Sequence, residues 1–308
     1  LYTTRYLREG ESIPAGYQSM LDPLDANKIL IFQDNNIQDM LYSAALWQNY
    51  YVGVDGGSEK VTYRASLGYV DDEGVARGTG FSRFNAKTNL KIEINKHLST
   101  SVGFDFSRTT SNQFADQTNE IYRAQANAPT HRLYYDDGKP APGFNAATPN
   151  PLWTDYYKDR EFKRYNSVVF ADLTYRIIDG LKAYVNGSYF YTQEQYDAFE
   201  KANVYNSLRP ATSNFNDLER LKLDTYLEYK RTFANKHTGS AMVGYSYQKS
   251  DRKYLNASAN GGSSDKIPSL GVAPNKTEAS TKFERQVVLG YFGRLNYDYD
   301  KKYMLTAT

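Results

Sequence analysis

The sequence predicts an all-β protein, an antiparallel up-and-down transmembrane β-barrel to which this chain contributes about ten strands. Three observations lead to this prediction. Apolar residues recur at every second position, short and long connections alternate, and aromatic residues are in excess, with Tyr 29, Phe 15 and Trp 2 among 308 residues. Because the mean hydropathy is only −0.69, these rings must lie outside one thick aliphatic core.

Composition excludes several other classes of protein. No run approaches the roughly 20 apolar residues of a membrane helix, and a net charge of +2 without charged blocks gives no case for nucleic-acid binding. The absence of Cys removes disulfides, thiolate catalysis and cysteine zinc sites. His97, His131 and His237 lie far apart and are interpreted as surface or turn residues. The sequence therefore predicts no enzyme, no catalytic residue, no metal site and no cofactor.

Alternation with period two marks each predicted strand. In the segment 61–69, Val61, Tyr63 and Ala65 alternate with polar residues, which is typical of a strand with one apolar face. The same pattern predicts strands at 49–57, 61–69, 84–94, 98–106, 165–177, 181–191, 221–229, 239–247, 287–299 and 303–307. This spacing is too regular for a mixed α/β chain.

The connections between these strands are short and long in strict alternation. Every second connection of an up-and-down sheet lies at the same end, so the short turns gather at one rim and the long loops at the other. We therefore divide the chain into 1–46, an extracellular loop with a short helix within 36–47, and 47–308, a partial barrel wall. Short turns are predicted at 58–60, 95–97, 178–180, 234–236 and 300–302, and long extracellular loops at 71–80, 109–161, 192–217 and 249–282.

Aromatic and charged residues are placed along the strands as a bilayer requires. Rings gather near both strand ends, as at Tyr175 and Tyr247, and aliphatic residues such as Val185 lie between them. The polar positions then face a lumen, since an Arg or Lys at the bilayer midplane costs about 2 to 4 kcal/mol. The predicted lumen-facing residues are Arg64, Lys87, Lys91, Asp105, Asp172, Arg176, Asp224 and Arg294. The alternative is a soluble β-sandwich or a β-rich solenoid with the same alternation, and a sandwich would bury its apolar faces against each other.

One hairpin and its continuation resemble a known family. Residues 52–69 read Val-Gly-Val-Asp-Gly-Gly-Ser-Glu-Lys-Val-Thr-Tyr-Arg-Ala-Ser-Leu-Gly-Tyr, followed by Asp-Glu-Gly at 72–74 and a strand entry at 81–85. The segments 133–138 (Leu-Tyr-Tyr-Asp-Asp-Gly) and 302–308 (Lys-Tyr-Met-Leu-Thr-Ala-Thr) continue the pattern in the same order. Over nearly its whole length, the sequence resembles the SusC/RagA family of TonB-linked (TonB-dependent) outer-membrane transporters of Bacteroidetes.

The resemblance implies an architecture and a function. Members of the family have an N-terminal plug inside a barrel of about 22 strands, and a TonB box couples uptake to the inner-membrane proton gradient. A SusD-like lipoprotein closes the extracellular mouth, and the cargo is oligosaccharides or peptides. This chain carries neither plug nor TonB box, begins at Leu1 and stops within an alternating segment. We therefore expect an internal barrel fragment in the bacterial outer membrane, whose edge strands pair with the rest of a longer protein.

Ligand contact is expected from the long loop 109–161, which is rich in aromatic residues and prolines. The candidate substrate-binding residues are Trp153, Tyr134, Tyr135, Tyr122 and Arg123. The alternative is that these rings pack the loop onto its neighbours or contact a lid protein. Two other functions stay open for the whole chain, namely a passive porin or adhesin-like barrel and a soluble lectin-like β domain.

Overall fold

The computed structural model describes residues 4–33, 36–112, 122, 124–128, 131, 133–135, 137–145 and 148–308. A small antiparallel sheet comes first, with strands β1 (Thr4–Tyr6), β2 (Gln18–Asp22) and β3 (Asp25–Phe32) in the order β1-β3-β2. Ile31 on β3 is fully buried. The sequence does not predict this sheet, because its short strands lack a sustained alternation of apolar and polar residues.

The helix α1 (Ile37–Leu41) follows the small sheet and lies within the stretch where a short helix is predicted. Asn36 caps its first turn, since the Asn36 side chain accepts hydrogen bonds from the backbone N–H groups of Gln38 and Asp39. Among the residues that the structure describes, no helix has the length and apolar character needed to cross a membrane.

The main sheet contains ten antiparallel strands. They are β4 (Trp47–Gly57), β5 (Val61–Glu73), β6 (Gly80–Glu93), β7 (Leu98–Asn112), β10 (Lys158–Ile178), β11 (Leu181–Glu200), β12 (Ala211–Phe233), β13 (His237–Asn260), β14 (Asn275–Tyr299) and β15 (Tyr303–Ala307). The connection from β7 to β10 contains β8 (Gly143–Asn145), β9 (Thr148–Pro149) and the helix α2 (Pro151–Tyr157). Neighbours in the sheet follow chain order, so the predicted up-and-down fold is confirmed.

The strands of the main sheet differ greatly in length. Strands β4 to β7 have 11 to 15 residues, whereas β10 to β14 have 20 to 25. About 9 to 11 residues of a tilted strand cross a bilayer, so β10 to β14 extend well beyond one.

This extension corrects the predicted long loops. The predicted loops 192–217 and 249–282 are largely strand, and the actual connections are 201–210 and 261–274. The predicted loops 71–80 and 109–161 also shorten, because β5 continues to Glu73 and β10 begins at Lys158. The physical reason is that both faces of a strand are polar outside a bilayer, so the pairing continues where the alternation stops.

The pairing register separates the main sheet into two faces. Asp172 lies opposite Asn186, which lies opposite Asp224, so these three side chains share one face. The same register places all eight predicted lumen-facing residues on this face, which we call the inner face. The outer face carries exposed apolar side chains such as Tyr291, which is 87% exposed, and Leu295. A sandwich would bury such a face, so its exposure favours the membrane barrel over the soluble alternative.

The short turns all lie at one end of the main sheet and the longer connections at the other. Two of the short turns have consecutive residues with positive φ, at Ala234 (46°) and Asn235 (56°) and at Asp300 (52°) and Lys301 (55°). Two successive positive φ angles are typical of a type I′ hairpin turn, whose twist matches that of paired strands. The predicted arrangement of the rims is thus present in the structure.

Candidate functional site

The inner face carries a network of paired charges along the middle of the sheet. Lys87 on β6 lies 3.2 Å from Asp105 on β7. Asp224 on β12 lies 2.7 Å from Lys222 and accepts a 2.6 Å hydrogen bond from the hydroxyl of Ser246 on β13. Among the described residues, Oδ1 of Asp105 is buried without a hydrogen-bond partner. The inner face is therefore a polar surface on which some of the charges are neutralised by neighbours.

Aromatic rings also lie on the inner face, and the sequence analysis missed them. Tyr184 and Tyr226 stack with ring centroids 4.5 Å apart, and Phe292 lies 6.2 Å from Tyr226. The ring of Phe292 and the Cβ atom of Tyr226 occupy the space over Gly244, where an added Cβ atom would meet the Phe292 ring at 2.4 Å. The sequence could have predicted their placement, because each of these rings is an even number of residues away from a predicted lumen-facing residue or its cross-strand partner on the same strand.

Towards the long-loop end, the extended strands β10 to β14 present ionic and aromatic side chains on the inner face. Arg164 on β10 contacts Glu194 on β11, with a shortest N–O distance of 2.6 Å. Glu194 also accepts a 3.3 Å hydrogen bond from Asn216 on β12. Arg252 on β13 donates a 3.0 Å hydrogen bond to the hydroxyl of Tyr254. This part of the wall combines charged groups, an amide and rings, which are groups that bind polar oligomers.

The long connection before β10 is organised around Asn150, which is fully buried. Its Nδ2 donates to the carbonyl oxygens of Leu133 (2.7 Å) and Ala141 (2.8 Å), and its Oδ1 accepts from the N–H of Leu152 at the start of α2 (3.1 Å). One side chain thus joins three parts of the loop. This connection is therefore a folded unit with its own polar centre.

The candidate substrate-binding residues occupy different environments in this loop. Trp153 is only 6% exposed, and its ring packs against Tyr157 (5.1 Å between centroids) and Tyr205 (5.6 Å). Tyr134 packs on the small cluster formed by Leu41 and Leu133. Their burial matches the alternative in which the rings pack the loop. Tyr135 is half-buried, Tyr122 is 76% exposed, and Arg123 lies outside the described residues.

Polar contacts join the loops at the long-loop end to one another. Asp265 accepts hydrogen bonds from the N–H of Ala202 (2.9 Å) and from Nε of Arg209 (2.6 Å). These contacts, first that with the backbone of Ala202, lower the pKa of Asp265 below its usual value. Lys201 donates to the carbonyl of Tyr156 (2.8 Å) and lies 3.2 Å from Asp159. The connection 201–210 is thereby tied both to 261–274 and to the α2 region.

Comparison with known proteins shows which proteins this chain is similar to. No family model matches the sequence. The chain is 21% identical over 280 residues to "TonB-dependent receptor P39" of Formosa agariphila, covering 89% of this chain and 27% of that protein. Over 101 residues it is 33% identical to "TonB-dependent receptor SusC" of Bacteroides thetaiotaomicron, covering 32% of this chain and 10% of that protein. The structure of the RagAB peptide transporter superposes with a TM-score of 0.77 at 20% identity, covering 87% of this chain and 32% of that one.

The fold and these similarities define a class of protein. The main sheet has the fold of a portion of the barrel wall of TonB-dependent receptors. Within this class, the relatives named above confirm the resemblance to the SusC/RagA family that the sequence motifs carry. They are named as receptors and transporters rather than as enzymes. The chain spans less than a third of the length of each of these proteins, with shares of 27%, 10% and 32%.

Proposed function

We propose that this chain is part of the barrel of a SusC-like, TonB-dependent transporter in the bacterial outer membrane that imports oligosaccharides or peptides. The observation that carries the proposal is the two-faced main sheet, with an exposed apolar outer face and a polar inner face over ten strands. Such a wall meets lipid outside and an aqueous path inside. The similarity to the RagAB peptide transporter over 87% of the chain supports it.

The transport mechanism proposed for the whole protein requires parts beyond this chain. TonB acts through an N-terminal region and displaces a plug from the barrel, and a SusD-like lipoprotein lid on the extracellular face traps the substrate first. The polar contacts that join the connections 201–210 and 261–274 favour the proposal of a lid, because a surface that is already ordered binds a partner at a lower entropic cost. Peptides are the favoured cargo of the two classes, since the structurally similar RagAB is a peptide importer.

Uptake by the full-length protein tests this proposal. The gene that carries this segment is deleted in its host and restored either intact or without its TonB box. Uptake of fluorescent peptides and of fluorescent oligosaccharides is then measured, with and without a proton uncoupler. We expect uptake of at least one class to need both the TonB box and the proton gradient.

The same experiment separates the proposal from the passive alternative. A porin-like barrel would take up the labelled compounds equally well without the TonB box and in the presence of the uncoupler.

Copurification of the intact protein from outer membranes, with and without crosslinking, tests the lid. A lipoprotein encoded beside the transporter gene is the expected partner, and recovery of the barrel protein alone contradicts that part of the proposal.

A further inference from the structure

The extended part of the inner face has an excess of positive charge. The pairing register brings Arg164 and Glu194 together at one level and Arg252 and Glu284 together at another, with Lys282 two residues before Glu284 on β14. Arg220 lies on the same face, on β12. We call these six residues, Arg164, Glu194, Arg220, Arg252, Lys282 and Glu284, the cationic patch. Its four cations and two carboxylates give a formal net charge of +2.

Each of the two carboxylates in the cationic patch forms a salt bridge with Arg164 or Lys282 and not with Arg220 or Arg252. Arg164 holds Glu194 at 2.6 Å, and Lys282 holds Glu284 at 2.5 Å. Within the part of the chain that the structure describes, Arg220 and Arg252 have no carboxylate oxygen within 4.0 Å. Neither guanidinium group therefore forms a salt bridge, although Glu284 and Glu194 attract that of Arg252 from a longer distance.

The two arginines without a salt bridge occupy neighbouring positions on the inner face. In the register Arg220 lies opposite Ser250, two residues before Arg252 on the same face, and such diagonal neighbours are about 7 to 8 Å apart. Aromatic rings orient both groups, with the guanidinium carbon of Arg220 5.8 Å from the Phe190 ring centroid and that of Arg252 5.9 Å from the Tyr254 ring centroid. Like charges at this spacing repel each other, so an anion bound between them gains from both.

The geometry of a guanidinium group indicates which anion fits. Its planar fork of N–H donors matches the two oxygens of a carboxylate, and stacking on a ring fixes the plane of the fork. Arg252 uses one N–H for the hydroxyl of Tyr254, at 3.0 Å, and keeps the others. Asn216, which the register places opposite Tyr254, has a buried Oδ1 with no partner among the described residues.

We propose that the cationic patch binds a carboxylate group of the imported oligomer through Arg220 and Arg252. This inference rests on the proposed transport function, and it adds a chemical requirement to the cargo. The carboxylate belongs either to a peptide, at its C-terminus or on an acidic side chain, or to a uronic acid of an oligosaccharide. Arg220 and Arg252 lie in the halves of β12 and β13 nearer the long-loop end, where an incoming ligand reaches them before the deeper part of the wall.

Binding to the purified full-length protein tests the inference. Four fluorescent probes are compared: a pool of short peptides with free C-termini, the same pool amidated, an oligogalacturonate and a neutral maltooligosaccharide. The variants are R252Q and R220Q. K253Q is the matched control, because Lys253 is the next residue on β13, is exposed and lies on the outer face.

We expect the wild type to bind at least one carboxylate probe more tightly than its neutral counterpart. R252Q and R220Q are each expected to weaken that binding by about ten- to hundredfold, as loss of a charge-assisted hydrogen bond predicts. The neutral counterpart and K253Q should show no change. Whether the peptide pool or the oligogalacturonate responds identifies the source of the carboxylate.

Three contrary outcomes are possible, and they do not all have the same meaning. Equal affinity of the wild type for charged and neutral probes, with R252Q and R220Q unchanged, overturns the carboxylate inference alone. Equal weakening of charged and neutral probes by R252Q also overturns it, because a structural role of Arg252 would act on both. Failure of the wild type to bind or import any oligomer overturns the proposed transport function and this inference together.

Discussion

Asn150 is a single polar residue on which the long connection before β10 depends. Asn150→Ala removes three hydrogen bonds and leaves the carbonyl oxygen of Ala141 and the N–H of Leu152 without the partner that Asn150 supplies, whereas the carbonyl of Leu133 keeps the N–H of Ala141 (2.9 Å). We expect a loss of about 2 to 4 kcal/mol of local stability, since each unpaired buried group costs about 1 to 3 kcal/mol. Hydrogen exchange of the α2 amides in the full-length protein measures this loss as faster exchange. Asn49→Ala, at an exposed strand position, is the control, and unchanged α2 protection in Asn150→Ala contradicts the prediction.

Asp251 lies on the outer face, four residues past Tyr247 on β13 towards the long-loop end, and it gives a prediction about pH. Two hydrogen bonds from Arg285 (2.7 and 2.8 Å), with Lys249 at 3.0 Å, lower the pKa of Asp251 from 3.8 to about 2, while Glu219 faces it from β12. Because the folded pKa lies below the unfolded one, this pairing stabilises the protein above about pH 4 and the stabilisation is lost as the pH falls towards about 2. The difference in melting temperature between wild type and Asp251→Asn should therefore be constant from neutral pH to about pH 4 and should become small near pH 2. A difference that persists at about pH 2 argues against the assignment.

At the scale of strands, Gly244 on the inner face leaves space for the aromatic residues of its two neighbouring strands. A Cβ atom at Gly244 would meet the Phe292 ring at 2.4 Å and Cβ of Tyr226 at 2.6 Å, whereas one at Gly290 on the adjacent strand meets nothing within 4 Å. Gly244→Ala should therefore destabilise the barrel by about 1 to 3 kcal/mol through overpacking. Gly290→Ala should be neutral or slightly stabilising, because alanine loses less backbone entropy on folding. Denaturant unfolding of the full-length protein compares them, and equal stability of the two variants would contradict the steric argument.

The strands and the inner face could be predicted from the sequence to different degrees. Alternation located all ten strands and put Asp172, Asp224 and the other predicted lumen-facing residues on one face, because a bilayer-crossing segment must keep its two sides chemically different. Alternation stops outside that segment, which is why the extensions of β10 to β14 were assigned to loops. The burial of Trp153 depends on contacts with Tyr205, which is remote in sequence, and local patterns do not contain such contacts. The unpaired state of Arg252 likewise depends on pairings made by other strands.

At the scale of the whole molecule, the two faces of the wall should respond oppositely to the same charge. Val185 and Asn186 are consecutive on β11, yet Val185 lies on the outer face, 37% exposed, and Asn186 lies on the inner face between Asp172 and Asp224. Val185→Arg would place a guanidinium in the lipid and cost about 2 to 4 kcal/mol if the residue lies near the midplane. Asn186→Arg places the same group between two carboxylates that attract it.

We therefore expect the full-length protein with Val185→Arg to reach the outer membrane in reduced amount and to unfold at lower denaturant concentration than the protein with Asn186→Arg. Quantification in isolated outer membranes and unfolding in lipid vesicles provide the two measurements. In a soluble sandwich the outer face would be a buried core or a hydrated surface, and the difference would not depend on lipid. Repeating the unfolding in detergents of different chain length separates these cases, since only a bilayer-facing Val185 makes the cost depend on the thickness of the apolar layer. Equal accumulation of the two variants would contradict the assignment of the outer face to lipid.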